Sequence, residues 1–195
     1  MKIKGPRLFL IGMAGALALG WYAFPRALYK KIEQPLQFSH KVHTGKDAGM
    51  ACADCHSLGE DGRFSGIPKL DKCSTCHSAQ MGTTENEKVL VEQYVTPNRE
   101  IPWLSYLRQP ENTYFPHAVH VKLAELKCEQ CHGQHGASEK LRPLEVNRVS
   151  GYSRDIWGQS ISRFRKQEGD GMKMDDCISC HAKSGREDGC IDCHK

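Results

Sequence analysis

The sequence has little from which to build an ordinary core. Only 39% of its 195 residues are apolar and 8% are aromatic, less than a globular chain of this length usually carries. No block of one charge sign stands out either. The 27 basic and 23 acidic residues are interleaved, for a net charge of +4, which excludes the clustered basic face of a nucleic-acid binder. Cysteine and histidine are in excess, with ten of each. Such an excess serves either disulfides or metal and cofactor sites, and spacing decides between them.

All ten cysteines fall in five Cys-x-x-Cys-His units: Cys52/Cys55/His56, Cys73/Cys76/His77, Cys128/Cys131/His132, Cys177/Cys180/His181 and Cys190/Cys193/His194. Two cysteines three apart on a helical turn face one way, and each can form a thioether to one vinyl of the same haem. The histidine that follows lies on that face and can reach the iron. The spacing therefore reads as covalent attachment of five c-type haems. Zinc would need paired Cys-x-x-Cys units or further histidines, and five such units pair badly. Disulfides would not require a histidine after every second cysteine. A Cys-x-x-Cys-Lys variant is absent. Each haem adds propionate charge, so the loaded chain would carry roughly −1 oxidised and about −6 reduced.

Five histidines remain outside the units: His40, His43, His117, His120 and His135. Five irons with two imidazoles each need ten histidines, the number present. All ten are therefore expected as iron ligands, with Met50, Met81, Met172 and Met174 as alternative axial donors. Phe38-Ser-His40-Lys-Val-His43 stands before Cys52, and Phe115-Pro-His117-Ala-Val-His120 before Cys128. This is an internal repeat. Histidines three apart on a helix project about 60° from one another, so each can serve a different haem. His135, three residues after His132, suits a neighbouring haem better than its own.

The N-terminus reads as a basic tail (1–7), a transmembrane anchor (8–24) and then Pro25 and Arg26. Seventeen uncharged residues are at the lower limit for a spanning helix. Trp21 and Tyr22 stand where interfacial aromatics belong. A cleaved leader ending at Ala16-Leu17-Ala18 is the alternative, but the apolar run continues past that site. Basic residues flank both ends of the run, so charge alone does not orient it. Haem attachment outside the cytoplasm does. The tail is then cytoplasmic, and 25–195 forms a periplasmic pentahaem domain on the inner membrane, in modules of about 33–82 and 114–195.

The repeated Phe-x-His-x-x-His, each followed by Cys-x-x-Cys-His, resembles the class III multihaem cytochromes. The stretch from Ile101-Pro-Trp103 through Tyr114-Phe-Pro-His117-Ala-Val-His120-Val121 to Cys128-Glu-Gln-Cys131-His132-Gly133 is similar to the multihaem cytochrome c subunits of alternative complex III and of the quinone reductase complex, Qrc. The resemblance covers about 34–195 and implies an electron-transfer subunit of a membrane quinone-linked complex. That subunit would not be an enzyme by itself. It implies iron–sulfur/molybdopterin-like and integral membrane partner subunits. In the Qrc-like case, found in sulfate respiration, it also implies a periplasmic tetrahaem cytochrome c as donor and menaquinone as acceptor. In the alternative complex III case, electrons leave quinol. The resemblance further implies that His40 caps the haem of His56 and His117 that of His132, with His43 and His120 serving haems elsewhere. A sixth haem would need attachment other than through cysteine.

A quinol dehydrogenase of the NapC/NrfH type also has an N-terminal anchor. It usually places methionine two residues after the first motif's histidine, where this chain has Leu58. The expected fold is mainly α and irregular with little β, scaffolded by the haems. The connector 83–113, with a short helix over 85–94, and the stretch 136–170 read as partner-contacting surfaces. Asp170, Asp175, Asp176, Glu187, Asp188 and Asp192 read as an acidic docking face.

Overall fold

The computed structural model describes residues 5–60, 62, 66–107, 112–154 and 170–194. The chain begins as a helical rod in three parts. These are α1 (Gly5–Ala18), a π-helical turn (Leu19–Ala23) and α2 (Phe24–Leu28). Among the described residues no helix is long and apolar enough to cross a membrane. The expectation of one regular spanning helix over 8–24 is corrected accordingly. The cause lies at Pro25, near the start of α2. Proline has no N–H to continue an α-helical ladder, and the turn before it widens so that the Phe24 N–H reaches Leu19 O, a common way to absorb such a break. The backbone stays right-handed helical at Ala18 and Phe24, so the direction of the rod is kept.

From the rod the chain passes into β1 (Tyr29–Ile32), which pairs antiparallel with β2 (Leu144–Asn147). Tyr29 stands opposite Asn147, and Ile32 opposite Leu144. Lys31 and Glu145 face each other in register and form an ion pair at 3.5 Å. The Asn147 side chain accepts from the N–H groups of Val149 and Ser150 at 2.9 and 3.0 Å. That turn sends the chain back so that Arg154 N–H donates to Glu145 O. The segment read as partner surface is thus, over 144–154, folded against the start of the domain. Residues 155–169 of it lie outside the described residues.

The apolar core is small. Leu36, Leu70, Leu90, Tyr94 and Ile101 are buried together, with Cys73, Val89, Val95 and Trp103 packed against them. Leu70 opens α5 (Leu70–Ser74), and Leu90 closes α6 (Glu85–Leu90). Tyr94 lies in the π turn Val91–Val95 that continues α6. The expected short helix is there, and it packs Leu90 and Tyr94 into the core. Gln34, buried, ties the domain across: its amide N–H groups reach Leu104 O and Arg142 O at 2.9 and 3.0 Å, and its carbonyl accepts from Leu104 N at 3.1 Å. The remaining elements are short: α3 (His40–Thr44), α4 (Cys52–Cys55), a π turn at Val119–Leu123, α7 (Cys128–His132), a 3₁₀ turn at His135–Ala137, α8 (Met174–Lys183) and α9 (Cys190–Cys193). The architecture is mainly helical and irregular with little strand, as composition implied.

Candidate functional site

Each Cys-x-x-Cys-His unit sits on one helical turn. The motif histidine's N–H donates to the first cysteine's carbonyl at His56, His77 and His194 (2.9, 2.9 and 3.0 Å), which puts both sulfurs and the ring on one side. The turns are capped from within. Asp54, Gln130 and Asp192, each just before the second cysteine, accept from the N–H of the residue preceding the first cysteine: Ala51, Lys127 and Gly189, at 2.7, 2.7 and 2.8 Å. In the fourth unit Asp176 does this for Lys173 N–H at 2.9 Å. Sequence reading missed this role, although an acid or amide inside the motif was its visible sign.

The two Phe-x-His-x-x-His units fold alike. Ser39 caps α3 by accepting from Val42 N–H. Phe38 stacks on His43 at 4.3 Å between ring centres and meets His40 edge-on at 4.9 Å. Phe115 repeats both contacts with His120 and His117, at 4.3 and 4.8 Å. The His43 and His120 Nδ1–H groups donate to Ser39 O and Pro116 O, at 2.8 and 3.0 Å. Nε2 of each ring is thereby the nitrogen that could bind a metal.

Four ring pairs result. His40 lies 6.5 Å from His56, His43 is 6.2 Å from His77, His117 is 6.3 Å from His132, and His120 is 6.0 Å from His181. A metal–imidazole nitrogen bond is about 2.0 Å and the ring centre lies roughly 1.1 Å further, so two imidazoles on opposite faces of one metal stand about 6 Å apart. Each pair also joins a histidine that follows two cysteines to one that does not, which is the donor set of a c-type haem with two imidazoles. The rings suit neutral ligation. Burial, then the imidazoles of His56, His135 and His43, hold His40 down to about 4. Burial lowers His117, His132 and His181 as well.

The tenth histidine behaves differently. The turn through Gly133, at φ 72°, sends the chain back against α3, where Thr44 Oγ1 donates to Gly136 O at 2.7 Å and the His40 ring meets Ser138 Oγ at 3.0 Å. His135 therefore faces His40 at 6.5 Å and Tyr106 at 6.3 Å. It is not brought to His194, whose Nδ1 donates to Asn112 O at 3.2 Å.

The cysteines also approach one another between units. Cys52 is pushed up by burial and by Cys128 beside it. Burial raises Cys131 and Cys177, with Cys180 next to the first and Cys193 next to the second.

Several of the carboxylates read as a docking face also have local partners. Asp170 is buried and pairs with Arg142 and Arg154 at 2.9 and 3.2 Å. Asp176 and Asp192 are caps, and Asp188 is bonded to His181 and Arg186. These carboxylates have structural work that a count of charges along the chain does not reveal.

Comparison with known proteins agrees with this geometry. Residues 42–143 match the family model described as cytochrome c3. The chain is 37% identical, over 206 aligned positions, to the protein of Nitratidesulfovibrio vulgaris named "Menaquinone reductase, multiheme cytochrome c subunit", with 98% of this chain and 90% of that one covered. Identity at that level along nearly the whole of both chains, together with the repeated attachment motifs, places it: the chain belongs to the multihaem cytochrome c family, of the cytochrome c3 kind, that includes this subunit.

Proposed function

We propose that the chain is the electron-transfer subunit of a membrane quinone-linked complex of the menaquinone reductase kind, held to the membrane by its N-terminal rod with 25–195 on the periplasmic side. The observation that carries this reading is the set of four imidazole pairs near 6 Å, each beside its own two cysteines. Bound haem supplies a one-electron carrier. This chain's residues would hold each of four haems through two imidazoles, which favours a relay over an enzyme that binds substrate at iron. The fifth site is Cys190/Cys193 with His194. His135 is assigned beside the His40/His56 site, as a ligand only of a haem reached from there.

The residues also give the sites an order. α3 bears His40 and His43, so the Cys73/Cys76 site adjoins that of Cys52/Cys55. Cys52 adjoins Cys128. His117 and His120 join the Cys128/Cys131 site to that of Cys177/Cys180. Tyr114 N–H donates to Cys193 O at 2.7 Å, which brings the Cys190/Cys193 site to the same end. The terminal sites are thus those of Cys73/Cys76 and Cys190/Cys193, where partner subunits and a tetrahaem donor would dock.

The rod supports anchoring because its large apolar side chains are exposed, among them Phe9, Ile11, Leu17, Leu19 and Phe24. Its uncharged part, residues 8–24, would be about 26 Å long at about 1.5 Å per residue. That is close to the roughly 30 Å hydrocarbon thickness.

The test is purification of the tagged chain from its own membranes in mild detergent. Iron–sulfur/molybdopterin-like and integral membrane subunits should co-purify, and the preparation should reduce a menaquinone analogue. A cytochrome that purifies alone and oxidises quinol unaided would overturn the proposal in favour of a stand-alone quinol dehydrogenase.

A further inference from the structure

The histidines whose Nδ1 partner is described divide into two kinds. His43, His56, His120 and His194 face the backbone carbonyls of Ser39, Gly66, Pro116 and Asn112, and His40 faces the Ser138 hydroxyl. His77 and His181 face carboxylates, Glu87 at 2.9 Å and Asp188. Both of these rings follow a cysteine pair, so both belong to the haem's own attachment motif.

The two carboxylates are held in place. Glu87 projects from α6, whose first turn Thr84 caps. Its oxygens also accept from the N–H groups of Met81 and Gly82, at 2.9 and 2.7 Å. Asp188 is fixed by Arg186. The side chains are only 10% and 8% exposed, so water screens them weakly.

A neutral carbonyl leaves the Nδ1 proton on the ring. A buried carboxylate draws that proton toward itself, and the ring gains imidazolate character. Nε2 becomes the stronger donor, and the oxidised, more positive iron gains more from it than the reduced iron does. We propose that Glu87 and Asp188 are positioning residues that lower the reduction potentials of the Cys73/Cys76 and Cys177/Cys180 haems, one in each module. The inference rests on the ligand assignment above. Arg186 draws charge from Asp188, so the effect through Glu87 is the larger of the two.

The experiment is an equilibrium redox titration of the full-length holoprotein, with each haem followed by electron paramagnetic resonance, for wild type, Glu87→Gln and Asp188→Asn. Each variant should keep the wild-type number of low-spin haems and move one haem to higher potential, with the greater shift in Glu87→Gln. Glutamine can still accept from Met81 N–H but gives up the bond from Gly82 N–H, which would face its amide nitrogen. Should Glu87→Gln lose a haem, Asp188→Asn decides alone. Unchanged or lowered potentials in low-spin variants overturn the proposal. High-spin signal at these haems already in wild type would instead contradict the ligand assignment beneath it.

Discussion

Replacing His43 with alanine is expected to leave five thioether-linked haems and turn one of them, that of Cys73/Cys76, from low-spin to high-spin. The His43 ring is held by Phe38 stacked on one face and by Ser39 O at Nδ1, and it stands 6.2 Å from His77. Attachment depends on Cys73, Cys76 and His77, which the substitution leaves alone. Only one further position opens, so carbon monoxide binding should rise by about one-fifth of the haem relative to wild type. His120→Ala should do the same at the Cys177/Cys180 haem, since His120 stands 6.0 Å from His181. The two variants should therefore alter different haems. Spin state by electron paramagnetic resonance, with haem content by pyridine haemochrome, checks both. Uniformly low-spin variants would remove His43 and His120 from the ligand set.

Deleting residues 1–26 behind a cleavable leader is expected to shift the haem-loaded domain almost wholly from the membrane to the periplasmic soluble fraction. The rod exposes apolar side chains on all sides. Leu8, Phe9, Leu10, Ile11, Leu17, Leu19 and Phe24 are each more than half exposed, and burying one such side chain contributes about 1.5–3 kcal/mol. A helix apolar all round belongs in lipid or inside a larger protein. The deletion stops before Leu28, whose carbonyl accepts from Arg148 N–H at 2.8 Å, and before β1, so the β1–β2 pairing is retained. Fractionation followed by haem staining checks the result. A truncated chain that stays with the membrane would show that partner subunits, not the rod, hold it there.

The chemistry of this chain was legible where it is local. Each attachment turn needs only five consecutive residues, and a spacing of three places His40 and His43, or His117 and His120, on one turn whatever surrounds it. The pairing of His43 with His77 and of His120 with His181 was not legible, because each joins residues brought together only by tertiary folding. Glu87 was hidden for the same reason: it reaches His77 through a loop whose shape depends on Thr84, Met81 and Gly82. The connector's share of the core was not legible either, because its buried residues are scattered along it. Leu90, Tyr94 and Ile101 nonetheless make up most of the buried core, and their partner Leu70 lies in the first module. The local partners of the acidic cluster were not legible in the sequence. Charges adjacent in sequence looked like one face, yet Asp170 is buried between two arginines and Asp176 and Asp192 cap helices. Which haem His135 stands beside was not legible. Ten histidines match ten iron positions, but the turn at Gly133 carries His135 toward His40 rather than His194.

The most direct test of the relay is the spin state and carbon monoxide binding of the reduced wild-type holoprotein, measured against its haem content. The account predicts five covalent haems, at least four of them low-spin with two histidines, and carbon monoxide bound by no more than one, at Cys190/Cys193. Two or more high-spin haems that bind carbon monoxide would contradict it, because at least one of the four imidazole pairs would then not close an iron.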